Sequence, residues 1–135
     1  MKIEFVERFD IPSATAQQRG HGAHGRTWAS PGLQAARAAW RALFEKYRPE
    51  RPLSGAISVT MVLYYHRMGT GAGKRFPKTT RPDIDNVVKV VLDALMAAGI
   101  IADDAAVFNV NAWKFAEIGA EHVQFSIMEC REFGK

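Results

Sequence analysis

The segment 83–98 most constrains the fold, because it places an apolar residue at almost every position around a helix. A helix that is apolar on nearly all sides is normally buried, so this one is expected to pack against a sheet and against a further surface such as a second subunit. Gly99 follows and is predicted to end the helix, since glycine readily adopts the left-handed conformation found at helix C-termini. The apolar positions are Val87, Val88, Val90, Val91, Leu92, Ala94, Leu95, Ala97 and Ala98.

The few polar residues of this helix fall on one narrow stripe. At 3.6 residues per turn, Asp85, Lys89, Asp93 and Asn86 lie within an arc of about 100°, and Asp83 stands just ahead of them. One interpretation is structural: Asp83 caps the helix N-terminus, and Asp85 forms an ion pair with Lys89 one turn later. The other is chemical, with the carboxylates acting as ligands of a metal ion.

Two more carboxylates, Asp103 and Asp104, follow the helix in a predicted turn. The helix would be roughly 24 Å long, which leaves the turn far from Asp83 unless the chain doubles back. In extended form, residues 100–104 are long enough to close much of that gap, and we expect them to do so. Carboxylates that converge beside Lys89 would suit Mg²⁺, which prefers oxygen ligands. The sequence does not distinguish Mg²⁺ from Mn²⁺. The lysine would then be a fixed cation near a phosphate.

The remaining segments predict an α+β domain spanning residues 1–135, with the element order β-α-β-α-β-β. Residues 11–29 lack periodicity and are expected to form a mobile loop. Trp40 and Trp113 are expected in the core or at an interface. Predicted strands cover residues 3–8, 56–66, 106–116 and 121–129, and the first helix begins after Ser30 and ends before Pro49.

The net charge of +4 is concentrated in residues 67–82. This basic segment holds five of the 18 Lys and Arg residues and no acidic residue, so the rest of the chain is close to neutral. A basic stretch containing Gly and Pro is typical of a loop that contacts phosphates, although a solvated linker has the same composition. Within it, Phe76 could stack on a DNA base or anchor the loop to the core. Arg26, ahead of the first helix, is a further candidate for DNA contact.

Cysteine content and hydropathy exclude several classes of protein. Cys130 is the only cysteine, so neither an internal disulfide nor a cysteine-rich zinc site can form. No apolar run reaches the roughly 18 residues that span a membrane. Residues 1–5 alternate charged and apolar side chains where a signal peptide would be continuously apolar. We therefore expect a soluble protein of the cytoplasm.

The ordered motif in residues 81–107 resembles the RusA family of Holliday-junction resolvases. That family carries an R-x-D-x-D-N-x-x-K helix start, a D-A-L continuation, a glycine and a D-D-x-x-V turn. Near the N-terminus the chain departs from the family pattern, because Pro12 and Ser13 stand without the Asn and Tyr of the family's segment there. The matching elements are Arg81–Lys89, Asp93–Leu95, Gly99 and Asp103–Val107.

The resemblance implies a Mg²⁺-dependent endodeoxyribonuclease that cuts four-way DNA junctions by paired nicks. The family acts as a homodimer with one active site for each strand to be cut, on a mixed sheet flanked by helices. Catalytic roles are implied for Asp83, Asp85, Asp104 and Lys89, with Asp103 as a further metal ligand. DNA contacts are expected from Lys74, Arg75, Phe76, Lys78, Arg81 and Arg26.

Three alternatives remain open. A non-catalytic binder of branched DNA with the same fold would have lost one or more of the carboxylates, and none is missing. A phosphohydrolase of small phosphate esters would need a closed polar pocket. A structural protein of a dimeric assembly would account for the apolar helix but not for the paired carboxylates.

Overall fold

A five-stranded mixed sheet with two helices forms the body of the protein. The computed structural model describes residues 1–14, 19–21 and 27–130. The elements are β1 (Lys2–Arg8), β2 (Arg19–His21), β3 (Thr27–Ala29), α1 (Pro31–Glu45), β4 (Ala56–His66), β5 (Arg75–Pro77), α2 (Ile84–Ala97), β6 (Val107–Glu117) and β7 (His122–Cys130). The sheet has the strand order β1-β7-β4-β6-β5, and all neighbours are antiparallel except β4 and β6. Strands β2 and β3 pair separately.

Strand β4 lies in the middle of the sheet, as its alternating pattern predicts. Its odd-numbered residues from Ile57 to Leu63 are almost fully buried on the side of the helices. Phe125 on the neighbouring strand packs with Trp40 and Phe44 of α1 in the same core. Trp40 is 2% exposed, so its predicted place in the core is confirmed.

Both helices begin and end near the residues that the sequence indicates. The Ser30 hydroxyl accepts a hydrogen bond from the Leu33 amide at 3.1 Å, which caps α1. Gly99 follows α2 with a φ of +78°, in the region that favours glycine. Helix α2 buries Val87, Val91 and their neighbours against the core.

Three short strands were not predicted. The expectation of a loop over residues 11–29 is wrong for Arg19–His21 and Thr27–Ala29, which pair with each other. Likewise, Arg75–Pro77 in the basic segment pairs with β6 and forms the edge of the main sheet. Strands of three residues are too short to show a periodicity of two, and their pairing depends on partners distant in sequence. The longer elements follow the predicted order.

The face of the sheet opposite the helices is called the open face below. It carries the residues in register with Val62 of β4: Thr60 and Tyr64 on the same strand, Asn111, Trp113 and Phe115 on β6, and His122 and Gln124 on β7. Arg75 reaches this face from β5, because it pairs with Glu117. Within the residues described, no helix is both long enough and apolar enough to cross a membrane.

Candidate functional site

A cleft opens where the chain leaves the sheet and enters α2. The Lys78 amide donates to the Lys114 carbonyl at 2.9 Å, which extends the β5–β6 pairing by one residue. The chain then turns away through residues 79–83 into the helix, so that the start of α2 faces the middle of β6. The cleft has a volume of about 520 Å³ and is lined by Lys78–Thr80, Asp83–Asp85 and Ala112–Lys114.

The side chains of Asp83 and Asp85 line this cleft without capping hydrogen bonds or ion pairs among the described residues. Asp83 occupies the N-cap position of α2, but its side chain makes no capping hydrogen bond. Within the described part of the chain, neither aspartate forms an ion pair, and Asp85 does not bridge to Lys89. All three side chains are exposed. Asp83 therefore stands at the predicted N-cap position without a capping hydrogen bond, and the predicted ion pair of Asp85 with Lys89 is absent from the described residues, so the carboxylates stay available to a ligand.

Lys114 is a site residue that the sequence did not reveal. Its Nζ donates to the carbonyls of Thr80 at 2.9 Å and Pro82 at 2.6 Å, so it fixes the backbone directly ahead of Asp83. Burial lowers the pKa of the Lys114 amine, and repulsion from Lys78 adds to the shift, while Asp83 opposes it. Only the register of β6 against β4 indicates that Lys114 faces the site. Lys114 pairs with buried Leu63 and therefore projects toward the helix side of the sheet.

Asp103 and Asp104 lie at the opposite end of α2. The Asp103 carboxylate accepts a hydrogen bond from the Ala105 amide at 3.0 Å and caps a short 3-10 turn. The Asp104 amide contacts the Met96 sulfur at 3.1 Å. From Asp85 to Met96 the helix rises about 16 Å, whereas two oxygens on one Mg²⁺ lie within roughly 4 Å of each other.

The expected return of residues 100–104 along the helix therefore does not occur. Leu53 holds this segment in place, because its amide donates to the Ile100 carbonyl at 2.9 Å and its carbonyl accepts from Ala102 at 3.1 Å. Ile100 and Ile101 are buried, which fixes the segment against the core. Among the described residues of one chain, no three His, Cys, Asp or Glu side chains are grouped closely enough to hold a metal ion.

Asp85 at the start of α2 and Asp104 beyond its end nevertheless lie on one line along the outer side of the helix. With the buried residues centred on the opposite side, Asp85, Lys89 and Met96 fall within about 40° of each other around the helix axis. Asp104 adjoins Met96 at the far end of this line. The outer line of α2 thus has carboxylates at both ends and a lysine between them.

The basic segment is more structured than a solvated linker. The Arg75 guanidinium lies over the Tyr64 ring at 4.3 Å and donates to Glu117 at 3.2 Å. The Lys78 amine contacts Thr80 at 2.9 Å. Phe76 is 47% exposed and packs under the Arg67 guanidinium at 4.7 Å. Lys74 and Arg81 are exposed. Arg26, the remaining candidate for DNA contact, lies outside the described residues.

One buried polar atom at the site lacks a partner. The Asn86 side-chain nitrogen, in the first turn of α2, makes no hydrogen bond within the described residues. A buried amide without a hydrogen-bond partner costs free energy. The packing of a single chain therefore does not explain why Asn86 stands beside Asp85.

The cleft thus brings two aspartates and two lysines together in an α+β domain. The family model described as endodeoxyribonuclease RusA matches residues 11–127, which include every candidate site residue. The chain therefore belongs to the RusA family, a family of endonucleases that resolve Holliday junctions. No curated protein matches the chain.

Proposed function

We propose that this protein is a divalent-metal-dependent endodeoxyribonuclease that resolves four-way DNA junctions by paired hydrolysis of phosphodiester bonds. The observation that carries the proposal is the pair Asp83 and Asp85, exposed at the start of α2 with no ligand or partner from the described chain. Carboxylate oxygens in this state fit a hard cation such as Mg²⁺ or Mn²⁺. Membership of the RusA family supports the same reaction.

The residues of the cleft would divide the chemistry between them. When bound, the metal ion would supply a hydroxide nucleophile at neutral pH and offset the charge that develops on the phosphate. Asp83 and Asp85 would hold it at the N-terminus of α2, where the helix dipole also favours a phosphate anion. Lys89, one turn further on, would bind a phosphate oxygen and stabilise the transition state.

A second copy of the chain would complete the site. Asp104 cannot share an ion with Asp85 of the same chain, because α2 separates them. In a twofold-symmetric dimer each contact occurs twice. If two α2 helices packed antiparallel along their outer lines, Asp85 of one copy would meet Asp104 of the other at both ends. We infer such a homodimer with two composite sites, one for each strand to be cut. Asp103 would orient the turn that carries Asp104.

Exposed cations would guide branched DNA to these sites. Arg81 lies in the turn between the cleft residues Thr80 and Asp83, and Lys74 precedes β5; both are exposed and free of ion pairs within the described chain. Arg75 and Lys78 already have intramolecular partners, so they would contribute less to phosphate contact. Phosphate contacts of this kind position DNA without reading its sequence.

Incubation with labelled four-way, three-way and linear DNA tests the proposal. We expect paired cuts in the four-way junction with Mg²⁺ or Mn²⁺, none after chelation, and little cutting of linear duplex. Asp85→Asn should bind but not cut, while the control Asp10→Asn, an exposed aspartate outside the cleft, should cut normally. Tight junction binding without cutting under any metal would instead identify a non-catalytic binder of branched DNA.

A further inference from the structure

Trp113 is an exposed indole at the rim of the cleft. It projects from β6 onto the open face, and 55% of its surface is exposed. Of the two places expected for Trp113, the core is therefore wrong, and an interface stays a prediction. Trp113 also lines the cleft that contains Asp83 and Asp85. Covering an exposed aromatic ring of this size releases free energy, so Trp113 beside the carboxylates is suited to bind a ligand.

The orientation of Trp113 is set by a row of parallel rings that crosses three strands. Its ring and that of Phe115 are 6.1 Å apart at an angle of 5°. Phe115 and Tyr64 follow at 5.9 Å and 19°, and Tyr64 and His122 at 4.3 Å and 13°. The Arg75 guanidinium packs on Tyr64 and Phe115. Trp113 is thus the exposed end of a row whose inner rings are already covered.

A base released from stacking is the ligand that fits this position. Flat π-faces and fixed ring planes are how proteins hold single-stranded bases without sequence preference. The same cleft contains Asp83 and Asp85, the proposed metal ligands at the phosphate that is cut, so a base held by Trp113 would lie beside that phosphate. A base within intact duplex is stacked on both faces, whereas a base at a branch point is released at lower cost. An exposed indole would therefore favour branched DNA over linear duplex.

We propose that Trp113 is a stacking platform for one DNA base, unstacked at the branch point, next to the phosphate that is cut. The inference rests on the proposed nuclease function and names a source of its selectivity for branched DNA. Trp113 acts here as a positioning residue. Loss of one base–aromatic stack is expected to weaken junction binding by a factor of about 5 to 150.

The test combines Trp113 variants with junctions that lack one base. Trp113→Ala, Trp113→Phe and the control Val6→Ala are compared. Val6 is exposed on the same face at the opposite edge of the sheet. Binding is measured in EDTA on four-way junctions with a single abasic nucleotide at each position beside the branch, and on linear duplex. Single-turnover cleavage is measured with Mg²⁺, and the mass of each variant by sedimentation.

We expect Trp113→Ala to lose affinity for the intact junction but not for linear duplex, and Trp113→Phe to restore most of it. At one abasic position, wild type and Trp113→Ala should bind equally, because the stacked base is already missing. An equal loss at every abasic position, or no loss at all, overturns the proposal. So does a change of mass in Trp113→Ala, which would mean that a second copy covers the open face. If wild type never cuts but the binding pattern holds, the nuclease function fails and the platform stands.

Discussion

Replacement of Lys114 by methionine should lower the free energy of unfolding and displace the backbone that positions Asp83 in the cleft. The methionine keeps the length of the side chain but removes the amine that donates to Thr80 and Pro82. Thr80 is exposed and regains a water partner, so most of the cost falls on the carbonyl of buried Pro82. A hydrogen bond from a charged group contributes about 1.5–3 kcal/mol, so we expect a loss of about 2 kcal/mol in the free energy of unfolding. In a domain of this size that loss lowers the Tm by roughly 8 °C.

The effect on cleavage should exceed the effect on stability. Asp83 follows Pro82 directly, and a shift of about 1 Å in a reacting group can cost about 100-fold in rate. We expect Lys114→Met to cut 10- to 100-fold more slowly, by the same reasoning, and to need more Mg²⁺ for half-maximal rate. Lys2→Met, on the opposite edge strand, is the matched control for thermal melting and for Mg²⁺ titration of single-turnover cleavage. A Lys114→Met protein with the wild-type Tm and Mg²⁺ requirement would refute the reasoning.

Further predictions concern charge. Lys89→Ala should lower the single-turnover cleavage rate far more than junction affinity, because the cation acts where charge develops in the transition state; equal losses would make Lys89 a simple phosphate anchor. Replacing both Lys74 and Arg81 by alanine should flatten the slope of log affinity against log salt by up to about two units per subunit, whereas Lys46→Ala, near the opposite edge of the sheet, should leave it unchanged. A hydrogen bond to Lys46 holds the pKa of Glu7 below its ordinary value of 4.5. Stability from this contact is therefore present above pH 4.5 and lost as the pH falls through the lower folded value, so the urea midpoints of wild type and Glu7→Gln should converge in acid and differ at neutral pH.

The long elements could be predicted from sequence because their patterns are local. The alternation over residues 56–66 and the apolar helix before Gly99 identify β4 and α2 within a residue or two. Strand β5 could not be predicted, since its three residues become a strand only by pairing with β6. The same non-local pairing explains why the contacts of Arg75 could not be predicted: its guanidinium packs on Tyr64 and donates to Glu117 although the side chain stays exposed.

The candidate site was predictable in its residue types but not in its geometry. Asp83, Asp85 and Lys89 are identifiable from the motif alone. The separation of Asp104 depends on Leu53, a residue far away in sequence that binds the segment after α2. The places of Lys114 and Trp113, on opposite faces of β6, depend on the register with β4. A strand's alternation does not tell which of its faces meets the helices.

Mixing two inactive variants tests the composite site most directly. Asp85→Asn and Asp104→Asn homodimers should each fail to cut. After subunit exchange, a mixed dimer would contain one site with both changes and one intact site, so roughly a quarter of the wild-type sites should be active in an equal mixture, if each site draws on both copies of a symmetric pair. A mixture of Asp83→Asn with Asp85→Asn is the control and should stay inactive, because both changes lie at the same end of α2. Recovered single-strand nicking in the first mixture and none in the control is the predicted result. No recovery in the first mixture, with mixed dimers demonstrated by co-purification of two differently tagged copies, would contradict the account and place Asp85 and Asp104 in one site of a single chain.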